Sequence, residues 1–142
     1  MIFYRSLIAA ITMAPLLASC AEQAIPPERL AQTEARLAHA LAGKVAGRPV
    51  SCLPPYRAND MEVIDEDTIL FRNGSTVYVQ NTRGGCYPSG GNLGGYALVT
   101  RGVGGGNGLC QGDIAQVVYT ATGMFAGSCS FNEFIPYHRA SR

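Results

Sequence analysis

Five thiols are the most reactive groups in this sequence: Cys20, Cys52, Cys86, Cys110 and Cys129. A thiol can bind metal, attack an electrophile, carry a lipid or pair with another thiol. There is no Cys-x-x-Cys pair, and His39 and His138 are the only imidazoles, so a zinc site lacks clustered ligands. Nucleophilic catalysis needs a base beside the attacking Ser or Cys. No Gly-x-Ser-x-Gly occurs, and the histidines fall in a helical segment and a tail, with His39 reading as a surface residue. Asp60, Glu62, Asp65, Glu66 and Asp67 lack the glycine and closing glutamate of a calcium loop. They read as the wet side of a strand and its turn. Nothing marks two of them as the paired carboxylates of a glycosidase. Residues 84–108 hold 11 of the 17 glycines. No Gly-x-Gly-x-x-Gly opens a helix there and no Gly-Lys-Ser/Thr follows, so hairpin loops are expected in place of a phosphate cradle. No catalytic residue, metal ligand or cofactor site is expected.

The N-terminus gives one thiol a role. Arg5 precedes an apolar run from Leu7 to Leu17, broken by Thr12 and Pro15. A short apolar core behind a basic start has the form of a signal peptide. It falls short of the roughly 20 apolar residues that cross a bilayer. Leu17-Ala18-Ser19-Cys20 closes the run and resembles the lipobox of bacterial lipoproteins. The resemblance implies diacylation of Cys20, cleavage before it and acylation of the new amine. By analogy with enterobacterial sorting, Ala21 in place of Asp favours the outer membrane, facing the periplasm. Two or more acyl chains anchor stably. No membrane-binding patch is therefore expected in the domain itself.

With Cys20 acylated, an even number of cysteines remains in an oxidising compartment. Small secreted domains commonly depend on such bridges. Four cysteines allow three connectivities. The nested one, Cys52–Cys129 with Cys86–Cys110, is favoured because its inner bridge would close the glycine-rich stretch. Removing residues 1–19 takes away Arg5 and leaves 10 basic and 10 acidic residues. A formal charge of zero gives no electrostatic case for nucleic acid.

These residues need elements to hold them. Residues 20–27 are a tether. Residues 28–43 are a helix with its cap: Leu30, Leu37 and Leu41 recur with Ala31, Ala38 and Ala42, and Gly43 suits the C-terminal cap. That helix either lies against the domain or stands off the membrane as a stalk. Residues 48–137 are the β domain. Its strands are expected at Pro49–Leu53, Met61–Ile64, Thr68–Arg72, Ser75–Asn81, Tyr96–Thr100, Ile114–Tyr119 and Ser128–Ile135. Pro136 should end the last, leaving a frayed tail. Asn73-Gly74 predicts a two-residue hairpin turn. Pairing Arg72 with Ser75 would then set Leu70 opposite Val77 and Ile69 opposite Tyr78. One face collects Leu70, Val77 and Val79, and the other Ile69, Phe71 and Tyr78. Both are apolar, so each needs a cover: a curled sheet or barrel on one, the helix or the glycine loop on the other. The fold class is mainly β, a small disulfide-bonded antiparallel sheet or barrel preceded by one N-terminal helix.

The C-terminal part carries a second resemblance. Leu109-Cys110-Gln111-Gly112-Asp113-Ile114, Val117-Val118 and Ser128 to Tyr137 are similar to an uncharacterised proteobacterial family of small secreted proteins with a Cys-x-Gly-Asp turn. It implies no activity, catalytic residue or ligand, and Asn132-Glu133 departs from its pattern. The functional expectation is a non-catalytic binding or structural module of the cell envelope, with an envelope protein or polymer as partner. The alternatives are a lysozyme-type inhibitor, suggested faintly by Ser89-Gly90 and Tyr96, and, ranked last, an envelope hydrolase.

Overall fold

The computed structural model describes residues 26–55, 60–87, 95–102 and 108–140. It is mainly β with one helix, an antiparallel sheet curled into a half-barrel. Helix α1 spans Pro27–Leu41. The strands are β1 (Lys44–Ala46), β2 (Met61–Val63), β3 (Thr68–Asn73), β4 (Thr76–Arg83), β5 (Tyr96–Arg101), β6 (Ile114–Tyr119) and β7 (Phe125–Arg139). The strand order is β2-β3-β4-β7-β6-β5, with β1 added to β7.

Proline suits the first turn of α1, where its missing N–H has no intrahelical partner to lose. Gly43, at φ +69°, turns the chain out of the helix into β1. The helix lies against the sheet: Ala40 is buried, and Leu37 and Leu41 pack with it on Ile64, Leu70, Val77 and Val79. Ala31 and Ala38 of the expected stripe are exposed, and Leu30 is half exposed.

The inner face of the sheet holds the larger core, with Ile69, Phe71, Val117, Phe131 and Phe134 at its centre. The Phe71 and Phe134 rings meet edge to face at 6.0 Å. The two faces of the β3–β4 hairpin carry the side chains expected of them. Its register differs. Asn73 pairs with Thr76, so Leu70 lies opposite Val79 and Phe71 opposite Tyr78. Gly74 is at φ +60° and, among the described residues, no non-glycine has positive φ, so Gly74-Ser75 form the turn. That is the arrangement with glycine first, and Asn73 is spared the left-handed conformation that Asn-Gly at the centre would demand. The slip is one pair on each strand, an even step, so neither face changes.

The last strand also departs from expectation. β7 runs through Pro136 to Arg139, and Tyr137–Arg139 pair with β1 instead of fraying. Phe134 exchanges both backbone bonds with Val50, and the Pro136 carbonyl accepts from Gly47. Even-numbered residues here therefore face the short outer segment, away from β4. The donor that proline lacks is missing only on that side. The expected strand Pro49–Leu53 is reduced to isolated bridges at Val50 and Cys52.

The disulfides are Cys52–Cys110 and Cys86–Cys129, which interleave along the chain and overturn the nested pairing. Cys52 and Cys110 lie opposite each other in an antiparallel bridge, fixed by Leu53 N–H to the Leu109 carbonyl and Gln111 N–H to the Ser51 carbonyl. Cys86 and Cys129 are both buried in the inner core. Strand register, not the freedom of the glycine-rich loop, selects the partners. The loop residues 88–94 and 103–107 lie outside the described residues.

Candidate binding groove between the helix and an acidic turn

Arg36 is the residue around which this region is built. No carboxylate stands three or four residues from it along α1, so its charge finds no partner on its own helix. It reaches the sheet edge instead. One guanidinium nitrogen donates to the Ile64 carbonyl at 3.3 Å. Another donates to the Val63 carbonyl at 2.9 Å and pairs with Glu62 at 3.2 Å. Glu62 also accepts from Arg72 at 2.7 Å. The Arg72 hydrogen bond, with that of Arg36, holds the Glu62 carboxyl below its ordinary range, although partial burial opposes the shift. Arg36 thus clips the helix onto β2, an end strand whose carbonyls would otherwise face water.

Beside this clip lies a groove of about 310 Å³, with Arg29, Leu30, Thr33 and Arg36 along one wall and Ile64–Thr68 along the other. The acidic turn is stiff. Asp65 accepts the N–H groups of Asp67 and Thr68 at 2.9 and 2.7 Å. The Asp67 carbonyl accepts from Thr82, and the Glu66 carbonyl from Cys86. The Cys86–Cys129 bridge then ties the turn to β7. The expected wet side of a strand is therefore a capped turn plus an ion pair. A second hollow of about 300 Å³ lies across Arg36, between α1 and Glu62 and Arg72, and includes exposed His39.

The groove offers a half-exposed apolar side chain at Leu30, a cation at Arg29, and carboxylates at Glu66 and Asp67. That mixture suits an extended segment carrying apolar and charged groups. It offers no nucleophile beside a base. Among the described residues no group of three or more His, Cys, Asp or Glu could hold a metal ion.

The other residues singled out in the sequence scatter. Cys20, Tyr56, Ser89 and Gly90 lie outside the described residues. Tyr87 is in the inner core. The exposed Tyr96 hydroxyl donates to Tyr119 at 2.8 Å, which holds its phenol above the ordinary range. His138 shares a hydrogen bond with Thr76 at 3.1 Å. The Cys-x-Gly-Asp segment is a turn that delivers a cysteine. Buried Asp113 accepts the Cys110 N–H at 2.7 Å, and Gly112 sits at φ +87°. Sequence reasoning did not find Arg36. Its lack of a helical partner was the available signal.

The fold and groove define a small disulfide-bridged half-barrel with a helix clipped to one edge. Comparison with protein-family models, curated proteins and solved structures finds no match to this chain. Among the described residues no helix is long and apolar enough to cross a membrane.

Proposed function

We propose that the chain is a lipid-anchored protein of a bacterial cell envelope, held by acyl chains on Cys20, and that its domain is a non-catalytic binding or structural module. The observation that carries this reading is the thiol count. Cys52, Cys86, Cys110 and Cys129 are consumed by one another in two bridges. Cys20 is left without a cysteine partner in the chain, at the position where Leu17-Ala18-Ser19 makes it an acyl acceptor. Bridges of this kind persist in oxidising compartments, which agrees with export. An outer-membrane location facing the periplasm follows from Ala21 by the same analogy as above. The mixed character of the groove favours a protein segment or envelope polymer over a small substrate.

Growth with a labelled fatty acid tests the anchor. Label should enter the wild-type chain and vanish in Cys20→Ser, and the intact mass should carry the acyl groups with no free thiol. An unlabelled wild-type chain, or titratable thiols in the exported domain, would refute it. Cross-linking in intact envelope tests the module. A partner should be captured by the wild type and lost in Arg29→Glu with Leu30→Asp. Capture unchanged by that variant would remove the groove from the account.

A further inference from the structure

The start of α1 and the β6–β7 turn lie toward the same end of the sheet, and we propose that this turn, Tyr119–Phe125, seats in the bilayer surface that anchors Cys20. The proposal rests on the lipoprotein reading above.

Lengths carry the first part of the argument. The N-terminal half of α1 lies beside Asp65–Thr68. Thr68 pairs with Asn81, and the next β4 residue, Thr82, pairs with Phe131 of β7. At the other end of the helix, the Gly43 carbonyl accepts from Ala140, just past the far end of β7. The helix therefore runs back along β7 and starts near the level of Asn132. From there β7 continues to Phe125, about 23 Å further at about 3.3 Å per residue. The tether from Pro26 back to Cys20 reaches about 21 Å at most when fully extended. A chain that short cannot hold the turn clear of the membrane while the strands stand upright.

The turn is also built for such a seat. Met124 and Phe125 are 65% and 64% exposed, the most exposed large apolar side chains among the described residues, with Tyr119 beside them. No charged residue occurs from Ile114 through Asn132. Much of its backbone is paired within the molecule: Tyr119 N–H donates to the Met124 carbonyl and Gly123 N–H to that of Tyr119. Thr120 N–H donates to the Gly95 carbonyl, and Met124 N–H to the Thr122 hydroxyl at 3.3 Å. Donors satisfied internally enter a low-dielectric layer without stranding polar groups. The tip needs little affinity of its own, because the tether already holds it at high effective concentration. The acyl chains anchor the protein, and the turn sets its orientation. The proposal departs from the expectation that the domain has no membrane-binding patch.

The chain contains no Trp, so Phe125→Trp supplies a single reporter at an exposed site that should not disturb the fold. The acylated variant is reconstituted into phosphatidylethanolamine–phosphatidylglycerol vesicles, and its acyl mass is measured on the same sample. The expected result is blue-shifted emission, reduced by more than half with brominated lipid. Ser75→Trp, in the hairpin turn at the opposite end, should keep water-like emission and resist quenching. Water-like emission from acylated Phe125→Trp would overturn the seat while leaving the anchor intact. Absence of acyl mass would remove the anchor and the seat together. A blue shift that persists without vesicles and grows with protein concentration would mark a second copy on the turn, and would also overturn the proposal.

Discussion

One outer face of a single sheet meets two different fates. Over β3, β4 and the upper part of β7, α1 covers it and buries Leu70, Val77 and Val79. Over β5, β6 and the lower part of β7, Val99, Ile114 and Phe125 remain exposed. Cross-strand pairing sets Val118 opposite both Ala97 and Phe125, so the uncovered apolar residues share that face. A helix lying along the strands is only about 10–12 Å across, wide enough for two or three strands at about 4.8 Å spacing. The covered half is therefore a second core, and the bare half is a surface. Burial, not side-chain type, separates them.

That difference sets the order of expected effects. Leu70→Ala removes a side chain that is fully buried under α1. It should cost about 2–5 kcal/mol, read as a lower urea midpoint. A loss below about 1 kcal/mol would mean that the helix covers that face only loosely. Replacing Cys86 and Cys129 together by Ala cuts the bridge between the acidic turn and β7 and should cost about 2–4 kcal/mol in the same assay.

Arg36→Met removes the clip while keeping a helix-compatible stem. The loss should be about 1 kcal/mol, since the guanidinium is partly exposed and its pairs are screened. Protection of α1 amides from hydrogen exchange should fall selectively. Acid should act on the same clip. Glu62 is held below its ordinary range, so its contribution is complete above that range and fades as pH falls through the lowered value. In the Arg36→Met background this acid sensitivity should shrink. Val99→Thr, on the bare half, should change stability by no more than about 0.5 kcal/mol. A larger loss there would mean that something covers that surface after all.

Much of the covered half was legible in the sequence. Alternation along Thr68–Arg83 assigns Leu70, Val77 and Val79 to one face whichever of the two registers is taken, because both preserve parity. The turn lies one residue later than Asn73-Gly74 suggests, since glycine tolerates positive φ in either central position and Asn73 pairs with Thr76. Pro136 looked like a stop because sequence does not tell which side of a strand lacks a neighbour. Disulfide pairing was beyond reach for a related reason: Cys52 meets Cys110 through a non-local bridge, and loop length alone ranks it poorly. The anchoring of the helix by Arg36 depended on three residues of β2 and its exit, distant in sequence.

Interleaved bridges make the molecule hard to take apart by cutting. Met61 lies between Cys52 and Cys86, and Met124 between Cys110 and Cys129. Cyanogen bromide cleaves after both, giving three peptides from the domain. With Cys52–Cys110 and Cys86–Cys129, the middle peptide is stitched to each neighbour and all three travel as one mass until reductant is added. Had the bridges been nested, the middle peptide would drop away. The same stitching lets the domain survive a protease nick in any exposed loop between Cys52 and Cys129 without shedding a fragment.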